Sequence, residues 1–399
     1  HLFGIIMIEP DDIKYVKQTL FLKNDDLWKM LVYGGYWDFD LLSDMRENFR
    51  IIKDIASAHS LIMKKGLQDN DGDKKDSSHL VGRKILNSDD AIDHFYCNDN
   101  SYSIFDKAKI HRPRIQEIYK APYVLFKKGL DCADYSIRAV YVEKDFLYRE
   151  TINCIKGLEA DKKVLLNLCG LLNSSLFSYF NLMLGSSAGI EREQVFLEEL
   201  ANYPYAYSDE LVKLVEEIQK AECKESRDEL KTALNKCVMK MYDLQDNCFV
   251  DYALSIQIPM LCGTYRETKC DVKMMQEYAS ILSKIWDDHF RQSKVYYAIN
   301  LYPDIKGKYA ALQVKLSFEK IVNSVRVLDN VDENIDLLTD FMIYQLNDCF
   351  YQTKNIVEFS ENSFVIVKPI ESKNWHPAMA IKDSHKVLNA VLLRKEDCR

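Results

Sequence analysis

Residues 171–204 read LLNSSLFSYFNLMLGSSAGIEREQVFLEELANYP. The stretch has three parts, and each asks for a different structure. Apolar and aromatic residues dominate 172–184, which predicts a helix belonging to a core. The small residues Gly185, Ser186, Ser187, Ala188 and Gly189 then end it in a loop where backbone can come close to a bound surface. A charged segment follows, with Arg192 facing solvent. The stretch carries no metal-ligand set and no nucleophile signature. Amides, hydroxyls and one guanidinium are the chemistry of gripping a polyanion or a polar surface.

Upstream, between 101 and 149, the pattern changes to short apolar or alternating runs split by turns. Residues 102–105, 123–126, 137–142 and 146–148 read as strands of a sheet. Between 102 and 149 there are ten basic residues (Lys107, Lys109, Arg112, Arg114, Lys120, Lys127, Lys128, Arg138, Lys144, Arg149) and six acids (Asp106, Glu117, Asp131, Asp134, Glu143, Asp145), a local excess of +4 in a chain of −8. Basic residues interleaved with Tyr and Phe on a small sheet suit phosphates and bases. An ordinary solvated strand face would carry the same letters.

Further from the opening stretch, residues 10–50 place apolar side chains at helical spacing around an aromatic cluster broken by Gly34-Gly35. That cluster reads as helix packing or as a docking surface for another domain. Residues 66–79 are polar and form an exposed loop. Their Asp69, Asp71 and Asp73 fall short of a calcium loop, because Gly72 comes early and no Glu closes it. Leu211, Leu214, Val215, Ile218 and then Leu230, Leu234, Val238, Met241 predict a helical hairpin over 208–246, interrupted at 222–227. The last hundred residues return to a mixed pattern, with strands over 296–301, 310–316, 321–327 and 363–367 and helices over 334–350 and 377–393.

The totals set outer bounds. A chain of 399 residues predicts two or three domains, and 47% hydrophobic residues supply their cores. Its acidic balance, 61 Asp and Glu against 53 Lys and Arg, excludes indiscriminate coating of nucleic acid but permits a local basic face. Eleven scattered cysteines without a Cys-x-x-Cys pair suit reduced thiols in a cytoplasmic protein. No apolar run reaches the length of a membrane span, and the opening HLFGIIM lacks the basic leader and cleavage site of a signal peptide. Glycine-rich nucleotide loops, nucleophile elbows and His-Glu-x-x-His are absent from the sequence.

The order of several loose motifs resembles a known family. Ala121-Pro122-Tyr123-Val124-Leu125-Phe126-Lys127-Lys128, then Leu172-Asn173-Ser174-Ser175-Leu176-Phe177-Ser178-Tyr179, then Gly189-Ile190-Glu191-Arg192 and Tyr203-Pro204 are similar to the C-terminal specificity region of TaqI-like adenine-N6 DNA methyltransferases and type IIG restriction-modification enzymes. Trp28, Gly34 and Asp38 resemble the segment after the methylase domain in larger members. Val365-Ile366-Val367-Lys368-Pro369, Asn374-Trp375, Ala380 and Asp383 are similar to their chain end. The resemblance implies a partner methylase domain, fused or separate, that holds S-adenosylmethionine and works on a flipped adenine through an Asn-Pro-Pro-Tyr or related motif. Neither that motif nor a cofactor loop occurs in this sequence, so no cofactor is expected in this chain.

The expectation is therefore an α+β, multidomain chain. A docking segment over 1–45 precedes a mixed α/β target-recognition domain over 46–205, a helical hairpin or bundle over 206–290 and a C-terminal α/β domain over 291–399. The expected partner is double-stranded DNA, with Lys107, Lys109, Arg112, Arg114, Lys127, Lys128, Arg138, Ser186, Ser187 and Arg192 as its contacts. Two alternatives stand beside it. One is a protein-interaction module without DNA contact. The other is a Mg-dependent nuclease using Asp304 and Lys315, with Gln313 where a second acid is needed.

Overall fold

A computed structural model describes residues 13–22, 27–70, 72–98, 100–190, 192–292, 295–317, 319–320, 324–348 and 355–397. The chain divides into two compact units, Lys14–Tyr265 and, in the other, Arg266–Arg399. The fold is a multidomain α+β one, as expected.

The larger unit is built on a four-stranded antiparallel sheet. In chain order its strands are β1 (Ile62–Lys65), β2 (Tyr123–Lys127), β3 (Ala139–Val142) and β4 (Ile152–Lys156), with spatial order β3-β2-β4-β1. Every residue of β3 and β4 is buried, as are the first four of β2. Strand alternation sends Val124, Phe126, Ala139, Tyr141 and Ile155 into one core and Tyr123, Leu125, Val140, Val142, Ile152 and Cys154 into another. The three strands β2, β3 and β4 therefore offer no solvated face, which is why 123–126 and 139–142 read as apolar runs, while the edge strand β1 keeps Lys64 in solvent. Fully burying a side chain of this size stabilises by about 1.5–3 kcal/mol. Of the four runs read as strands, 123–126 and 137–142 fall in this sheet. Residues 102–104 instead pair with Lys84–Leu86 in a separate ribbon, and 146–148 contribute only a bridge, Ile85 to Leu147.

On one side of the sheet lie α1 (Leu27–Tyr33), α2 (Tyr36–Asn48), α3 (Lys162–Leu172), α4 (Ser175–Met183), α5 (Asp209–Lys220) and α6 (Lys224–Met241). All of α4 from Leu176 to Met183 is buried, as expected for a helix apolar on all sides. Phe177, Phe180 and Tyr203 form an aromatic group with ring centroids 5.3–5.8 Å apart. Side-chain amides join these helices to the backbone around them. Asn173 donates to Ala139 O at 2.8 Å and accepts from Ala139 N at 3.1 Å, so it partners the first residue of β3 as a strand would. Asn167 treats Ala206 O and Ser208 N in the same way, at 2.9 and 3.1 Å.

The hairpin expected over 208–246 is α5 and α6, and the break at 222–227 falls where they meet. It is not a separate spacer. Leu211, Val215, Leu234 and Val238 lie in the same core cluster as Leu165 and Phe177, with Met30, Leu42 and Met45 of the N-terminal segment. Beyond it the chain changes unit before α7 (Val272–Gln292).

The smaller unit has a five-stranded sheet, order β7-β5-β6-β9-β8, of β5 (Tyr296–Ile305), β6 (Tyr309–Ser317), β7 (Ser324–Val327), β8 (Ile356–Phe359) and β9 (Ser363–Pro369). Only β5 and β7 pair in parallel. Helix α8 (Glu333–Asp348) covers one face with Ile335 and Met342, while α7 and α9 (Pro377–Asp397) pack together. The second core, on the other sheet face, gathers Trp286, Tyr297, Phe364 and Trp375. It also encloses a charge. Lys368 bonds Asp383, Tyr278 OH at 3.2 Å and Asn374 O at 3.1 Å, while Tyr278 donates to Asp383 at 2.5 Å. The Lys368 and Asp383 side chains are 5% and 9% exposed.

Removing one partner of a buried ion pair strands the other. Asp383→Ala is expected to cost about 3–5 kcal/mol in urea unfolding, and Lys368→Met with Asp383→Leu to recover most of that loss. Equal losses in the single and double variants would mean that packing, not charge, sets the cost.

Candidate nucleic-acid interface

Antiparallel register decides which strand ends meet. Phe126 pairs with Ala139, Lys127 with Ile152 and Asn153 with Lys65. The end of β2, the starts of β3 and β4 and the end of β1 therefore share one edge of the sheet. Lys65, Lys127, Lys128, Arg138 and Arg149 stand at that edge or one turn from it. Bridges from Leu67 to Arg149 and from Gln68 to Arg112 extend it past β1. The loop after α4 joins it as well, because Gly129 bridges Gln194, with Val195 N on Lys128 O at 2.9 Å and Leu130 N on Glu193 O at 2.9 Å.

Topology thus gathers most of the residues expected to contact DNA, but acids are interleaved with them. Lys107 bonds Asp69 at 2.9 Å, and Arg149 lies 3.6 Å from the same carboxylate. The hydrogen bond from Lys107 holds Asp69 below the usual carboxylate range, with the charge of Arg149 adding to it. Lys127 pairs with Asp90 at 3.1 Å and lowers it in the same way. Arg138 grips Asp131 through Nε at 3.0 Å and through a second nitrogen, with Asp93 at 3.8 Å. Burial alone would raise Asp131, but the Ala133 amide and the Arg138 guanidinium outweigh it and hold it low. Arg114, at φ 65°, turns inward and donates to Gly66 O at 3.1 Å. It braces the exit of β1 rather than facing solvent. Among the described residues, Lys109, Arg112, Lys128 and Arg192 make no ion pair, and Arg112 and Arg192 are exposed.

The loop itself is fastened from beneath. Lys29 of α1 donates to Asn181 O at 3.2 Å and to Gly185 O, a cation at the C-terminus of α4. Tyr33 donates to Gly189 O. Gly189 sits at φ +75°, and a Cβ there would lie 3.0 Å from the Tyr33 oxygen, so the position calls for glycine. The Ser187 hydroxyl is spent on Arg192 O, and the Ser186 amide on Glu199 at 3.0 Å. The sequence reading expects Ser186, Ser187 and Gly189 to let the loop backbone come close to DNA. Ser187 shapes the loop, a carboxylate occupies the Ser186 N–H, and Arg192 is exposed along with Ser186 and Ile190. Sequence reasoning did not identify Lys29 or Tyr33, although their spacing of four residues on one helix face was the available signal.

Elsewhere the sequence motifs do not assemble. In the smaller unit, Asp304 accepts Gly307 N at 2.7 Å in the β5–β6 turn. Tyr309 pairs with Ile305 beside that turn, and Lys315 lies six residues further along β6, about 20 Å at strand rise. Gln313 is buried on Asn300, Tyr302 and Asp332. Asp304 and Lys315 therefore share no site. Asp71 lies outside the described residues, and among those described no group of His, Cys, Asp or Glu is placed to hold a metal ion. No helix of the described residues is long and apolar enough to cross a membrane. No protein-family model matches the chain, and no curated protein matches it.

Burial lowers the ammonium of Lys29 from its ordinary 10.5 to about 8, against a smaller opposing pull from Glu199. Between those values the unfolded chain binds more protons than the folded one, so folding gains stability as pH rises through the window. Compared with Lys29→Met, the parent chain is expected to gain about 2 kcal/mol between pH 7 and pH 9.5 in urea unfolding. A difference that stays flat with pH would mean that Lys29 is hydrated.

Proposed function

We propose that the larger unit is a DNA target-recognition module for an adenine-N6 methyltransferase or type IIG restriction-modification enzyme, with a methylase domain supplying S-adenosylmethionine and the transfer chemistry. The observation that supports this most directly is the convergence of Lys65, Lys127, Lys128, Arg138 and Arg149 on one sheet edge, with the Arg192 loop bridged to it. Duplex DNA is held by phosphate contacts that set register and read by a few side chains that reach base edges. In this reading Lys128, Arg112, Lys109 and Arg192 take phosphates at once, and Arg192 can also present its fork to guanine. Lys107 and Lys127 exchange their carboxylate partners for phosphate. Lys107 and Asp90 are the exposed members of these two pairs, so each pair opens from its solvent side. Arg114 and the Ser187 hydroxyl shape the surface instead of touching DNA.

A second feature gives the methylase domain a seat. On the outer side of the N-terminal segment Trp28 is 64% exposed, Val32 73% and Tyr15 86%. Trp28 and Val32 lie four apart on α1, on a face about a quarter turn round from Lys29 and Tyr33. Aromatic area of this size suits a partner of the same enzyme, and it equally suits the interaction-module alternative. DNA binding decides between them.

Duplex DNA titrated into the intact chain at increasing salt is expected to bind with a log–log slope of several units. Lys128→Ala with Arg192→Ala should weaken binding about tenfold or more and reduce the slope by about 2. Binding that is absent at low salt, or that keeps its affinity and slope in the double variant, would reject the interface.

A further inference from the structure

Helix α8 in the smaller unit presents a surface of another character. Its core side carries Ile335, Thr339 and Met342, all buried. Two positions on from each, on the far side of a helix with 3.6 residues per turn, stand Leu337, Phe341 and Tyr344. They are 69%, 51% and 57% exposed. Single exposed apolar residues need no explanation. Three at i, i+4 and i+7 form a continuous stripe, which is the spacing by which amphipathic helices recognise one another.

Charge says what would cover the stripe. Between residues 328 and 353 the sequence contains Asp329, Asp332, Glu333, Asp336, Asp340 and Asp348 and no Lys or Arg. Asp336 and Asp340 stand one turn apart beside the apolar stripe, while Asp332, just before the helix, caps it by accepting Ile335 N at 3.0 Å and bonds Gln313 at 2.7 Å. Like charges at that spacing repel along a helix. The structure already answers part of that repulsion with a cation, since Lys306 from the β5–β6 turn reaches Asp336 at 2.8 Å and Asp340 at 2.5 Å. A polyanion or an acidic membrane surface is repelled here, and a cationic segment is drawn in.

We propose that the outer face of α8 docks a cationic amphipathic helix of a partner protein. Leu337, Phe341 and Tyr344 take its apolar anchors, and Asp336 and Asp340 take its Lys or Arg. The proposal rests on the smaller unit alone and stands or falls independently of DNA binding.

The test uses the full chain and a fluorescent Leu/Lys peptide whose leucines repeat at helical spacing, read by anisotropy at low salt. Two control peptides accompany it: a scramble of equal charge without an apolar face, and a Leu/Glu peptide of the same spacing. The Leu/Lys peptide is expected to bind about tenfold or more tightly than either control. Leu337→Gln with Phe341→Gln should weaken it by about tenfold, and Asp336→Asn with Asp340→Asn should weaken it and flatten its salt dependence. Both variants alter exposed side chains, and circular dichroism checks their folding. Tyr344→Gln replaces the first pair if its unfolding midpoint falls. Equal binding of the scramble, or unchanged affinity in the apolar variants, would overturn the proposal. So would a sedimentation result showing that the stripe joins two copies of the chain.

Discussion

Backbone-like hydrogen bonds made by three asparagine side chains hold the larger unit in register. Asn167, Asn173 and Asn181 lie along α3, its end and α4, and each reaches a different segment. Asn167 holds the entry to α5, Asn173 the first residue of β3, and Asn181 the chain at Tyr135, where Tyr203 closes the bond from the other side at 3.1 Å. An amide can do this because it both donates and accepts, matching one peptide group. Around it the structure is apolar, so an unanswered backbone group there would cost about 1–3 kcal/mol. These bonds explain why an otherwise greasy pair of helices has a single position against the sheet. Apolar packing alone is non-directional.

That fixed position determines where contact chemistry can occur. A sheet buried on both faces has only its ends and edges left for solvent, and in antiparallel pairing one end collects residues from all four strands. Turns at that end bring in Asp69, Asp90, Asp93 and Asp131 along with the cations. The surface is a lattice of alternating charge, more neutral than the sequence count suggests. Under the proposed function, an anion takes its place on such a lattice by displacing carboxylates, which favours a defined arrangement of phosphates over general attraction.

The sequence showed the elements that follow simple periodicities. The α5–α6 hairpin was legible from Leu211 to Met241 because its apolar residues recur every three or four positions, and Tyr123 to Phe126 because four large apolar residues in a row leave few alternatives. The strand Ile152–Lys156 was not, since Asn153 and Lys156 look like solvent residues although both are buried, Lys156 reaching Gly157 O at 2.7 Å. Ile62–Lys65 was missed for a related reason, two lysines masking an edge strand. Within the candidate site, residue type was readable and pairing was not. Nothing in the letters of Arg114 or Ser187 says that one turns inward and the other bonds its own loop. Those facts depend on the backbone at φ 65° and on which carbonyl the loop brings near.

Helix α1 has only seven residues, yet its two sides face different neighbours. One side holds the Gly185 to Gly189 backbone through Lys29 and Tyr33, and the other turns Trp28 and Val32 to solvent. A rigid body this short cannot yield on one side without moving the other. Whatever prefers one tilt of α1 therefore prefers the matching position of the Arg192 loop, and by thermodynamic linkage the preference is equal in both directions. A ligand on the loop and a neighbour on the aromatic face would each report the presence of the other, with about two turns of helix as the transmitter.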